Sequence, residues 1–226
     1  MKIARCLIAV TEQYQPKPDT NDRKGLYCFL AAFLLWVLVG GCLLIHYGDA
    51  FLFRYIHIRH TDLLDTFFKY FTLFGTALLI IPVLLCLYWF RYRNNAFLGL
   101  LLTTQLGSLL INQGLKFWFA RPRPAALYEK EAWFHHIPGE TLHYGNSFPS
   151  GHTAGAFAFF LLLSLLLRKR HWFWAFAFLI CALLVAYSRI YLAQHFFADV
   201  YAGSIEGVLV CLIGIYGFRK QHSFFK

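Results

Sequence analysis

The chain has 226 residues, of which 59% are hydrophobic and 19% aromatic but only 14% charged. That balance excludes an ordinary soluble domain and leaves a membrane bundle of about one domain's mass. A formal charge of +10 would suit nucleic acid if the cations formed a stripe, but they gather in short segments between apolar runs, so membrane orientation explains them and nucleic-acid binding is set aside.

Residues 1–25, with Gln13, Pro16, Pro18 and Asn21, read as a cytoplasmic tail. The apolar run that follows exceeds a signal-peptide core and lacks a convincing cleavage site, so it is expected to remain as a first helix. Apolar runs near the length needed to cross a bilayer place six spans at 26–46, 73–90, 96–115, 152–167, 172–190 and 200–218. The fold class is therefore an all-α membrane protein. Six transmembrane helices form one domain over residues 26–218, and residues 219–226 make a second cytoplasmic tail. With the N-terminus inside, the short loops RYR (91–93) and RKR (168–170) are nearly pure cation on the cytoplasmic side.

Between the first two spans, residues 48–72 mix charges with aromatics and read as an interfacial amphipathic segment. His57 and His60 within it lack a carboxylate partner in sequence and read as headgroup-level residues rather than metal ligands. Cys28, Cys42, Cys86, Cys181 and Cys211 fall inside spans and Cys6 in the tail, with no CxxC pair, so neither a disulfide framework nor structural zinc is expected.

The third span carries Gln105, Asn112 and Lys116 at helical spacing on one face. It ends in KFWFARPRP (116–124), where Pro122 and Pro124 push Arg121 and Arg123 out of helical backbone. A stiff, extended chain loses less entropy when its guanidinium grips an anion. The plainer reading is that these cations snorkel toward lipid phosphates.

Two later stretches decide between these readings. PSGH (149–152) opens the fourth span, and SRIYLAQHFFADV (188–200) closes the fifth and opens the sixth. Counting crossings brings Lys116, Arg123, Ser150, His152, Arg189, His195 and Asp199 to the outer face together. Three permanent cations beside a helix N-terminus suit the charge on the equatorial oxygens of a phosphoryl group in transfer. His195 and Asp199, four apart, would sit side by side on a helix, the carboxylate fixing the tautomer and leaving the other ring nitrogen free to attack. His152 can protonate a leaving oxygen and later take a proton from water.

These blocks resemble the type 2 phosphatidic acid phosphatase (PAP2) superfamily, whose signature is K-x6-RP, PSGH and SR-x5-H-x3-D. Here they read Lys116-x6-Arg123-Pro124, Pro149-Ser150-Gly151-His152 and Ser188-Arg189-x5-His195-x3-Asp199. The resemblance implies a six-helix membrane phosphatase that uses no metal or other cofactor. In it His195 forms a phosphohistidine, Asp199 orients it, and His152 is the general acid and then base. Lys116, Arg123, Ser150, Gly151 and Arg189 hold the phosphate.

Outside the signature, Arg121 and Asn112 are further candidate substrate contacts, and Asn112 is equally suited to interhelical hydrogen bonding. Residues 125–148 could shape headgroup choice. Glu206 is expected to hydrogen-bond deeper in the bundle, and Gly203 and Gly207 form a small-xxx-small step. The expected substrate is a lipid phosphate or diphosphate: undecaprenyl diphosphate, phosphatidic acid, phosphatidylglycerol phosphate or a lipid A type. It would be met at the outer face of a bacterial inner membrane, with no obligatory protein partner. The alternative is a non-catalytic lipid-binding or lipid-moving protein on the same scaffold.

Overall fold

A computed structural model describes residues 24–166 and 171–218. The expectations for most of the N-terminal tail, the RKR loop and the C-terminal tail lie outside those residues. The described chain is all helical: α1 (Lys24–Tyr47), α2 (Asp49–His57), α3 (Asp62–Phe71), a 3-10 turn (Thr72–Gly75), α4 (Ala77–Phe90), α5 (Asn95–Phe119), α6 (Pro124–Tyr128), α7 (Gly151–Leu166), α8 (His171–Tyr191) and α9 (Phe197–Phe218).

Four helices, α1, α5, α8 and α9, are long and apolar enough to cross a bilayer, and the pair α3–α4 adds a fifth crossing if counted as one bent span. The expected second span, 73–90, is shorter than its sequence implied. Its helix starts at Ala77 because Thr76 is extended (φ −95°, ψ 149°), and the α3 side meets it at a 49° bend. The expected fourth span is an apolar helix of 16 residues, about 24 Å long at 1.5 Å per residue, which is short of the ~30 Å hydrocarbon core. Its expected last residue, Leu167, falls outside the described residues. The 48–72 segment is two short helices, α2 and α3. Thr61 caps the second of them by accepting from Leu64 N–H at 3.3 Å.

The same rules set the α5 boundaries. Asn94 caps it by accepting from Phe97 N–H at 2.8 Å, and Ala120 ends it in the left-handed region (φ 40°) just before Pro122.

Helix α7 is apolar all round because it is the centre of the bundle: Phe157, Leu161 and Leu162 are fully buried, with α8, α9 and α5 packed about it. Helix α1 buries only the face of Leu26, Phe29 and Phe33, leaving Leu34, Leu35 and Leu38 outward, as a lipid-facing helix should. In lipid, close packing and interhelical hydrogen bonds hold helices together, each bond worth about 1 kcal/mol. Trp36 Nε1 donates to Ser204 Oγ at 3.0 Å and Tyr201 Oη to the Val37 carbonyl at 2.9 Å, tying α1 to α9. Gly203 and Gly207 press the α9 backbone against the carbonyls of Ser150, just before α7, and of Ala154 in its first turn.

Candidate active site

The C-terminal ends of α5 and α8 and the N-terminal ends of α7 and α9 meet at one end of the bundle. Hydrogen bonds establish this directly: Ser150 N–H donates to the Asp199 carbonyl at 3.0 Å, and Arg123 Nη1 to the Gln194 carbonyl at 3.1 Å. All three sequence blocks therefore lie together.

His195 is not on a helix with Asp199, contrary to the spacing argument; it lies in the turn between α8 and α9. Helix α9 starts at Phe197, and Asp199 in its first turn reaches back to accept from Phe196 N–H at 2.8 Å, half of a capping box. That reach also puts Asp199 Oδ2 3.5 Å from His195 Nδ1, leaving Nε2 as the ring nitrogen not facing a carboxylate. His195 is 2% exposed. Burial pushes its imidazole down to about 3; the Asp199 bond works the other way, and Arg189 and Arg123 deepen the drop. At neutral pH the ring is uncharged and keeps the lone pair a nucleophile requires.

Ser150 precedes α7 as its N-cap. Its Oγ accepts from Thr153 N–H at 3.4 Å and from Thr153 Oγ1 at 2.9 Å, so the hydroxyl hydrogen stays available to an anion. Gly151 packs against Asn112: a Cβ there would lie 3.0 Å from Asn112 Oδ1. The first N–H groups of α7 have no intrahelical acceptor and add a positive dipole end.

Three cations surround this helix end. Arg123 is held by its own loops, Nε donating to the Gly145 carbonyl at 2.9 Å and Nη1 to Gln194 Oε1 at 3.1 Å. Arg189 is buried, with Nη1 on Thr72 Oγ1 at 2.9 Å, and its Nε has no hydrogen-bond partner among the described residues. Lys116 is half-buried at the end of α5, and Arg123 and Arg189 are the first charges acting on it. Arg189, His195, Lys116 and Arg123 in turn act on His152, in the first turn of α7. Like charges gathered around a buried, uncommitted donor make an anion site, since a tetrahedral anion both cancels the repulsion and accepts the free N–H.

Arg121 and Asn112 have other partners. Arg121 sits between two carboxylates, Asp199 at 2.8 Å and Asp49 at 2.5 Å. Asn112 Nδ2 donates to Glu206 Oε2 at 2.9 Å, deep in the bundle, and Ser108 Oγ bonds the other oxygen at 3.4 Å. Sequence reasoning missed Ser147, Gln194, Thr72 and Asp49. Ser147 Oγ donates to Asp199 Oδ2 and lies 3.5 Å from His195 Nδ1. It stands three residues before Ser150, close to the block, but a serine there carries no local signal. Residues 139–147 form a strap over the site, tied by Arg123 N–H to the Tyr144 carbonyl, Ser147 N–H to the Arg121 carbonyl and Gln194 Nε2 to Glu140. His57 is buried rather than at headgroup level: its Nδ1–H meets the Tyr191 carbonyl at 2.8 Å and its Nε2 accepts from His135 N–H at 3.1 Å.

Comparison with known proteins identifies the family. The family model of the PAP2 superfamily matches residues 96–223. Undecaprenyl-diphosphatase BcrC of Bacillus subtilis is 28% identical over 173 residues, covering 74% of this chain and 81% of that protein. Bacitracin transport permease protein BcrC of Bacillus licheniformis is 42% identical over 67 residues, a match spanning 30% of this chain and only 31% of that protein's length. Among solved structures, LpxE of Aquifex aeolicus superposes with a TM-score of 0.64 at 29% identity, covering 74% of this chain and 94% of that one. The transmembrane PAP2 type phosphatidylglycerolphosphate phosphatase of Bacillus subtilis gives 0.62 at 23% identity, covering 86% and 97%, a likeness of fold. With more than half its length matched and the blocks assembled at one helix-bundle end, the chain belongs to the PAP2 superfamily and is an integral membrane PAP2-type phosphatase.

Proposed function

We propose that the protein removes the terminal phosphate from a membrane lipid phosphate or diphosphate, undecaprenyl diphosphate first among them, through a phosphohistidine. The observation that carries this reading is a buried imidazole set among three cations, its Nδ1 facing a carboxylate. His195 Nε2 attacks phosphorus in line, and the bond to the lipid-side oxygen breaks. Lys116, Arg123, Arg189, the Ser150 hydroxyl and the Gly151 N–H hold the equatorial oxygens. Once the substrate's anionic phosphate lies among these cations, His152 takes up a proton and gives it to the departing oxygen. It then takes one from the water that attacks the phosphohistidine, and inorganic phosphate and free His195 result.

An amphiphile is favoured over a soluble ester because the site lies where apolar helices end, so a headgroup can reach it while the lipid tail stays in the bilayer. The undecaprenyl preference draws on the B. subtilis relative, which matches across most of both chains. Six crossings, cytoplasmic termini and a site facing the outside of a bacterial inner membrane complete the reading.

The experiment is phosphate release by purified protein from four lipids: undecaprenyl diphosphate, phosphatidic acid, phosphatidylglycerol phosphate and a lipid A phosphate. The expected result is the highest kcat/KM on undecaprenyl diphosphate. Release from none of the four refutes the reading, and preference for another lipid refutes the substrate.

A further inference from the structure

The Asp199 carboxylate has more partners than one imidazole requires. Oδ2 accepts from Ser147 Oγ and from Phe196 N–H, and faces His195; Oδ1 accepts from Arg121 Nη1 at 2.8 Å. The other arm of Arg121, Nη2, donates to Asp49 Oδ2 at 2.5 Å. Asp49 Oδ1 accepts from Ala198 N–H at 2.8 Å, the residue beside Asp199, and closes a ring through α2, the link after α5, and α9. The guanidinium also lies over the Phe196 ring, 4.6 Å from its centroid. Arg121 is thus held on three sides, all by protein.

Arg121 falls between the Lys and Arg of its sequence block, and Asp49 falls outside the matched residues 96–223. We propose that Asp49 and Arg121 are positioning residues for the nucleophile, Asp49 setting how much of the Arg121 charge reaches Asp199 and thereby the basicity of His195. The inference rests on His195 being the nucleophile.

A bare carboxylate beside an imidazole favours the imidazolium, which has no lone pair for attack. Arg121 on the far oxygen cancels part of that pull. Asp49 opposes Arg121 and restores some of it. The two residues therefore act on His195 with opposite sign, although they sit in one hydrogen-bonded ring. The other groups facing His195 are Arg189 from the end of α8, Arg123 from the link before α6, and His152 from α7, with Ser147 on the strap. All remain in place in the variants below, so they cancel in the comparison.

The test uses the full chain in detergent, with kcat/KM measured against pH on undecaprenyl diphosphate and phosphatidic acid. In parallel, the histidine titration is read by nitrogen-15 NMR. Arg121→Gln should move the acid limb, and the His195 titration with it, up by about one pH unit. Asp49→Asn should move both down, while its amide oxygen can still accept from Ala198 N–H. In the R121Q background D49N should add nothing, because its effect runs through the guanidinium. Arg121→Lys, which keeps the charge, should restore the wild-type limb. KM should hardly move in any variant, since neither residue touches phosphate.

Shifts of one sign in R121Q and D49N, no shift in either, or losses confined to KM overturn the proposal. If R121Q does not fold, the D49N and R121K limbs carry the decision. Wild-type inactivity on every lipid would instead refute the proposed function, and the NMR titrations would still decide this inference.

Discussion

Gly203 offers the sharpest test of how the site is held. A Cβ there would lie 2.6 Å from the Ser150 carbonyl oxygen, a shortfall of about 0.8 Å from the 3.4 Å at which ordinary contact begins. The obstructing atom is backbone, so it cannot swing aside as a side chain would. In Gly203→Ala the start of α7 must move, carrying Ser150, Gly151 and His152 with it. Overpacking of this kind costs about 1–3 kcal/mol of stability. A displacement near 1 Å among reacting groups costs up to about 100-fold in rate. We expect G203A to insert and purify, yet to lose roughly 10- to 100-fold in kcat/KM for phosphate release. Gly217→Ala is the control, because among the described residues nothing beyond its own helix and chain neighbours lies within 4 Å of its Cβ position. G203A activity within about twofold of wild type would show that the α7–α9 contact does not position the phosphate nest.

Three further outcomes are expected. His195→Ala should insert normally but release no phosphate and form no acid-labile phosphoprotein from labelled lipid; undiminished turnover would remove His195 from the nucleophile role. A cysteine replacing Glu140 should react with an impermeant thiol reagent added outside intact cells, and one replacing Lys169 should not; the reverse pattern inverts the topology. His57 is held uncharged, burial lowering it from 6.5 to about 4. Between those values the unfolded chain binds a proton that the folded chain refuses. Stability is therefore full above pH 6.5 and falls, by up to about 3 kcal/mol, as the pH drops toward 4. The thermal midpoint in detergent should decline less steeply with acid in His57→Gln, and equal slopes would refute the assignment.

The blocks that the proposed mechanism uses are readable in the sequence because each is local: a helix end with its cations, an N-cap, a histidine with an acid four residues on. Their meeting followed from alternating crossings. The relation of His195 to Asp199 was misread because spacing alone cannot say where a helix begins. The Asp199 side chain binds Phe196 N–H and starts α9 after the histidine, so the two meet across a cap instead of along a face. Ser147, Thr72, Gln194 and Asp49 were illegible for another reason. Their partners lie 52, 117, 71 and 72 residues away, and no periodicity reports such pairs. The α4 start was hidden because hydropathy runs on through Gly75, which is pinned against the His152 carbonyl, a Cβ there falling 2.7 Å from that oxygen.

Asp49, Lys116, Ser150, Arg189 and Asp199 come from five separate helices or their ends, and the last of them arrives with the final long helix. Under the proposed mechanism a partly synthesised chain thus lacks a complete site. On that mechanism, hydrolysis waits until α9 packs beside α7 and brings the Asp199 carboxylate to the helix end that holds Ser150.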